Sequence, residues 1–182
     1  MRIYKLYLYF FSCILLVFAL PSTVQAKSYK ITKTFANTVK NGKLPGMKAK
    51  VGTSYTQLKK IEKKGEQIIS PTDPKVLSIY VPAPSNIDTS KYTFFNRFGS
   101  DKVESMSRDY NYTFSTKTVR SYFGKPYKAK VGNHNITDSG IYKAGKYYMY
   151  FSTRGGPYGN TYIEVGTKKM ILHQTGYTKF YR

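Results

Sequence analysis

The chain reads as a strand-rich α+β protein. It has nineteen tyrosines and eleven phenylalanines but no tryptophan, and these rings, set among Thr, Val and Ile, favour pleated, half-buried surfaces. Only two segments carry helical spacing, and strand candidates follow each of them in a similar order. Together these features predict two tandem repeats, each a short helical element packed on an antiparallel sheet, joined edge to edge over one core.

Residues 1–26 read as a signal peptide. Arg2 and Lys5 open it, Leu6 to Leu20 is largely apolar, Pro21 breaks the run, and Val24, Gln25 and Ala26 suit a signal peptidase. About 15 apolar residues interrupted by Tyr7, Tyr9 and Ser12 fall short of the roughly 20 that span a bilayer, so no stable transmembrane anchor is expected. Cys13, the sole cysteine, leaves with this segment, and the exported chain then has no disulfide and must rely on packing. Of 30 basic residues only Arg2 and Lys5 are lost, leaving 28 against 9 acids, a net +19. Outside a cell such an excess attracts wall polymers, anionic head groups or nucleic acid.

Residues 27–41 form a basic lead-in to which the pattern assigns no element, residues 42–110 the first repeat and residues 111–182 the second. In the first repeat Ser54 and Gln57 match a capping box, and Tyr55, Leu58 and Ile61 give one apolar helical face before Gly65. Residues 76–81, 92–98 and 102–108 then read as strands, the last two as a hairpin, with prolines marking loops at 70–74 and 82–90. In the second repeat a helix starts at Ser115 or Thr116, carries Val119, Tyr122 and Phe123, and stops at Gly124. Strands are expected at 141–143, 147–152 and 161–165, and a closing hairpin from Met170–Gln174 with Tyr177–Tyr181.

Gly42-Lys43-Leu44-Pro45-Gly46, followed by Val51, Gly52 and Thr53, resembles the opening of a family of exported Bacillus-type proteins of uncharacterised function. Val119 to Pro126, where an apolar helix end meets Gly-Lys-Pro, resembles the corresponding junction in that family's second half. The first repeat carries Lys63-Lys64-Gly65-Glu66 at the matching place. The resemblance, which covers roughly residues 42–169, implies two repeats like those of the β-lactamase inhibitor protein. It brings no catalytic residues.

The residues argue against most enzyme classes. No cysteine remains, no serine stands in a Gly-x-Ser-x-Gly motif, and His134 and His173 lack metal-ligand spacing, so neither metal nor cofactor is expected. Glu104 and Glu164 sit on corresponding strands, where the alternation reads them as solvated charges rather than a facing pair. The main catalytic alternative is a small secreted ribonuclease or other hydrolase using His134, His173 and either Lys169 or Arg154. A membrane-active antimicrobial protein is a third reading. The leading one is a secreted, non-catalytic basic binding module at the cell surface or wall. In it Tyr147, Tyr148, Tyr150 and Tyr162 interleave with Lys143, Lys146, Arg154 and Lys168 to place rings beside cations. Its partner is an anionic wall polymer or other polyanion, with a protein partner as a further candidate.

Overall fold

The computed structural model describes residues 31–69, 76–83, 87–95, 101–129, 136–154 and 159–176. In chain order the elements are α1 (Lys33–Lys40), α2 (Tyr55–Ile61), β1 (Glu66–Ile69), β2 (Val76–Val81), β3 (Ile87–Phe95), β4 (Ser105–Tyr110), α3 (Thr116–Phe123), β5 (Lys128–Ala129), β6 (Ile136–Ala144), β7 (Tyr147–Arg154), β8 (Asn160–Gly166) and α4 (Lys168–Gln174). All strands join one antiparallel sheet in the order β1-β2-β3-β4-β8-β7-β6-β5. Helix α2 therefore precedes β1–β4 and α3 precedes β5–β8, with α1 before the first set and α4 after the second. The halves meet where β4 pairs with β8, from Ser105↔Gly166 to Tyr110↔Thr161.

Alternation along the strands separates the sheet into two unlike faces. Leu77, Ile79, Tyr92, Phe94, Met106, Ile163 and Val165 face a single large core shared by both halves, closed by α1, α2, α3 and the loop at 41–53. The opposite face is polar near its centre, where Ser78, Thr93, Ser105, Ser107, Ser152 and Glu164 are all buried. There α4 packs against β7 and β8, seating Ile171 on Ile141, Tyr148 and Tyr150, and Met170 on Val76.

Both expected helices form. Ser54 caps α2 as a full capping box, accepting from Gln57 N at 3.2 Å while Ser54 N donates to Gln57 Oε1 at 3.3 Å. Of its expected apolar face only Leu58 is buried, and Ile61 stays 39% exposed. Helix α3 follows Ser115, buries Val119 and Phe123, and ends at Gly124. The hairpin of β3 and β4 also forms, although β3 begins at Ile87, inside the proline-marked stretch.

Three segments differ from the reading of the sequence. The basic lead-in contains α1, whose N-cap Thr32 accepts from Phe35 N at 3.1 Å and whose Phe35, Ala36 and Val39 are buried. Phe35 joins an aromatic cluster with Tyr110 and Phe114, at centroid distances of 6.5 and 5.7 Å. Helix α1 is followed, after its C-cap Asn41, by Gly42, whose φ of +73° suits glycine and where a Cβ would lie 2.5 Å from the Tyr147 ring. Strand β1 occupies 66–69, directly after Gly65, while α2 already ends at Ile61 with Glu62 as its C-cap. Met170–Gln174 is helical, not the first strand of a closing hairpin. Thr167 caps α4 by accepting from Met170 N at 3.2 Å, and helical spacing turns Met170 and Ile171 onto the sheet. Residues 1–26, His134, the loop tip at 155–158 and Tyr177–Tyr181 lie outside the described residues. No described helix is long and apolar enough to cross a membrane.

Candidate functional site

The sheet divides the expected aromatic and basic residues between its two faces. Tyr148, Tyr150, Tyr162 and Lys143 share the polar face, whereas Tyr147 packs against the main core on the other. Tyr148 and Tyr150 are half-covered by α4, and Tyr150 tilts against Tyr162 at 5.9 Å. Exposed Tyr127 meets Tyr148 edge-on at 5.4 Å, and Lys168 Nζ sits 5.0 and 5.6 Å from the two ring centroids. The adjacent Tyr127 hydroxyl raises the Lys168 pKa. Lys146 stands at the β6–β7 turn, 5.3 Å from the Tyr147 ring. The backbone of Arg154 pairs with Asn160. For these positions the structure thus gives two separate groups, one around Tyr148 and Lys168, the other around Tyr147 and Lys146.

His173 is half-buried in the last turn of α4, one turn from exposed Lys169. Among the described residues no cluster of three His, Cys, Asp or Glu side chains could hold a metal ion.

Glu164 departs from the expectation of a solvated charge. It lies on β8 beside the seam between the halves, 1% exposed, opposite Ser107 on β4 and Tyr150 on β7. Its neighbours explain how a carboxylate is held there. Ser105 Oγ donates to Oε1 and Tyr162 OH donates to Oε2 at 2.9 Å. The Gln174 amide, oriented by the same network, donates to both oxygens at 3.0 and 3.1 Å. Burial raises the Glu164 pKa even though Lys91, Ser105 and Tyr162 oppose the shift. The Tyr162 hydroxyl is pushed up as well, first by burial and then by Glu164. Glu104 is engaged elsewhere, accepting from Thr167 Oγ1 at 2.8 Å.

A concentration of positive charge lies on the core-side rim, assembled by packing from separate stretches of the sequence. A cleft of about 690 Å³ is lined by Thr38, Lys40, Asn41, Lys43, Lys50, Lys146 and Tyr147. A second, of about 390 Å³, shares Lys43 and Lys50 and adds Lys48 and Lys60. A third, of about 520 Å³, shares Lys48 and adds Lys63, Lys64 and Arg108. Among the described residues nine cations therefore line three adjoining clefts, against Glu62 as the single lining carboxylate. Glu62 is already occupied: Oε2 lies 3.3 Å from Lys48 Nζ, and Oε1 accepts from Tyr92 OH at 3.0 Å. Tyr92 also accepts from Ala49 N at 3.2 Å, which fastens the loop carrying Lys43, Lys48 and Lys50 to the sheet. Lysines at 43, 48 and 50 were visible as a local run, but Lys40, Lys60 and Lys146 join them only through packing.

The architecture is that of a strand-rich α+β protein built on one antiparallel sheet. Among solved structures it is similar to YjgB, a DUF4309 family protein from Bacillus subtilis subsp. subtilis str. 168. That likeness has a TM-score of 0.54, covers 75% of this chain and 95% of the other, and carries 10% sequence identity. It is a likeness of fold. No family model matches the sequence, and no curated protein matches it.

Proposed function

We propose that this protein is an exported, non-catalytic binding module of the cell surface or wall that holds an anionic polymer. The supporting observation is the band of nine cations around three adjoining clefts with one, already paired, carboxylate. Lysine and arginine attract a polyanion over long range and release its counterions on contact, which makes binding salt-dependent. The band takes over the role first assigned to the tyrosine-rich strand, because Lys146 and Tyr147 belong to it whereas Lys143, Tyr148, Tyr150, Tyr162 and Lys168 do not. The mirrored helix-plus-four-strand order of the two halves also supports reading them as related repeats of the kind found in the β-lactamase inhibitor protein.

The test is co-sedimentation of residues 27–182 with isolated cell walls, with and without their anionic polymers, across a salt series. Retention should require the polymers and weaken as salt rises. Replacing Lys40, Lys43, Lys50 and Lys146 by glutamine should flatten the slope of log K against log salt by about 3, following roughly 0.7 per phosphate contact. The same change at Lys143 and Lys168 should leave the slope near its original value. Retention independent of the polymers, or equal losses in both variants, would remove the band as the binding surface.

A further inference from the structure

The third cleft contains a buried charge that no carboxylate among the described residues balances. Arg108 projects from β4 into the core side and is 2% exposed. Its Nε donates to Ser90 Oγ at 2.9 Å and its Nη1 donates to the Pro45 carbonyl, both neutral acceptors. Among the described residues no carboxylate pairs with it, and the one ion pair nearby is Lys48 with Glu62. A guanidinium does not shed its proton to escape burial. A buried, unpaired charge carries a heavy desolvation penalty, which a counter-ion can offset.

The loop around Arg108 is shaped to bring it there. Gly46 has a φ of +76°, and a Cβ at that position would lie 2.8 Å from Nη1 and 3.5 Å from Nη2. Glycine is what allows the backbone to lie against the guanidinium. The Gly42-Lys43-Leu44-Pro45-Gly46 segment, notable in the sequence without an assigned role, is thus the cradle of this arginine. Across the cleft stand Lys63 and Lys64, both exposed. With Glu62 and Lys48 cancelling one another, Arg108, Lys63 and Lys64 leave an excess of three positive charges.

We infer that this cleft is a phosphate site, with the Arg108 guanidinium at its base and Lys63 and Lys64 at its rim. A planar fork with ammonium groups around it suits a phosphoryl group, and the charge excess favours it over a singly charged carboxylate. The cleft, at about 520 Å³, is larger than a bare oxyanion and leaves room for the unit carrying the phosphate. The inference rests on the polyanion reading for the source of that phosphate, and it narrows the polymer to one that carries phosphate groups.

The purified protein is titrated with inorganic phosphate at low ionic strength, followed by heat and by melting temperature, with acetate as the competing anion class. The expected result is saturable one-to-one binding that raises the melting temperature, with no such response to acetate. K63Q/K64Q alters only exposed side chains and should weaken binding about tenfold or more. K117Q/K125Q, an equal change of charge at exposed positions outside the cleft, should shift it less than twofold. R108K should abolish saturation because the fork is lost, and if that variant does not fold, the K63Q/K64Q result decides. Absence of saturable phosphate binding, an equal response to acetate, or equal weakening by both lysine pairs would overturn the site. The titration uses no polymer, so phosphate binding without wall retention refutes only the polymer reading. Wall retention without phosphate binding refutes only the site.

Discussion

Replacing Glu164 by glutamine should change how the protein's stability depends on pH, and the direction follows from its surroundings. The carboxylate is 1% exposed, and burial holds its pKa above the ordinary 4.5. The folded protein then binds this proton more readily than the unfolded chain does. The associated stabilisation is complete below the unfolded value and is lost as pH rises through the folded one. Within that window a single group changes stability by about 1.4 kcal/mol per pH unit. Glutamine keeps the shape and does not titrate. Its amide nitrogen must face either Ser105 or Tyr162, both of which can turn their hydroxyls to accept, and also the Gln174 amide, which can flip to present its oxygen. The resulting adjustment, about 0.5–1.5 kcal/mol, is independent of pH and moves the whole curve without tilting it. Urea denaturation of wild type and E164Q between pH 4 and 8 separates the two effects. The variant should gain on wild type by about 1.4 kcal/mol for each pH unit above 4.5 until the folded pKa is passed, then run parallel. Parallel curves over the whole range would show that Glu164 does not titrate differently on folding, and the account of the polar seam would fail.

Two further substitutions test how the fold is closed. Phe35→Ala removes a ring held against Tyr110 and Phe114 and should cost about 3–5 kcal/mol. A loss below about 1 kcal/mol in urea denaturation would mean that α1 does not complete the core. Gly46→Ala places a side chain on left-handed backbone against Arg108 and should cost about 1–2 kcal/mol from the backbone alone. An unchanged urea midpoint would show that the loop at 41–53 rearranges freely.

Several elements were legible because their signals are local. A capping box starts α2 and a glycine ends α3, and both can be read from a few neighbouring residues. The run of apolar and β-branched residues at Val76–Val81 likewise marks a strand wherever it is placed in the sheet. The segments misread were those whose stability comes from distant partners. Helix α1 is eight residues long and depends on Tyr110 and Phe114 for its burial, while α4 depends on a sheet face assembled from β2, β6 and β7. All four helices are short enough to be marginal without tertiary contacts, and neither α1 nor α4 has the capping box of α2 or the Gly-Lys-Pro stop of α3 to mark it locally.

The candidate site divides along the same line. By itself the sequence determined the charge excess and the strand-rich α+β class, because composition and short-range pattern need no folded context. Only the tertiary structure decided which lysines share a cleft, that Glu164 is enclosed at the β4–β8 seam, and that Arg108 is buried beneath Pro45 and Gly46. Residues 46 and 108 are far apart along the chain, and neighbouring side chains on a strand point to opposite faces. The pairing of strands and the path of one loop therefore set where each charge lies, and with it which charges are solvated and which require a partner.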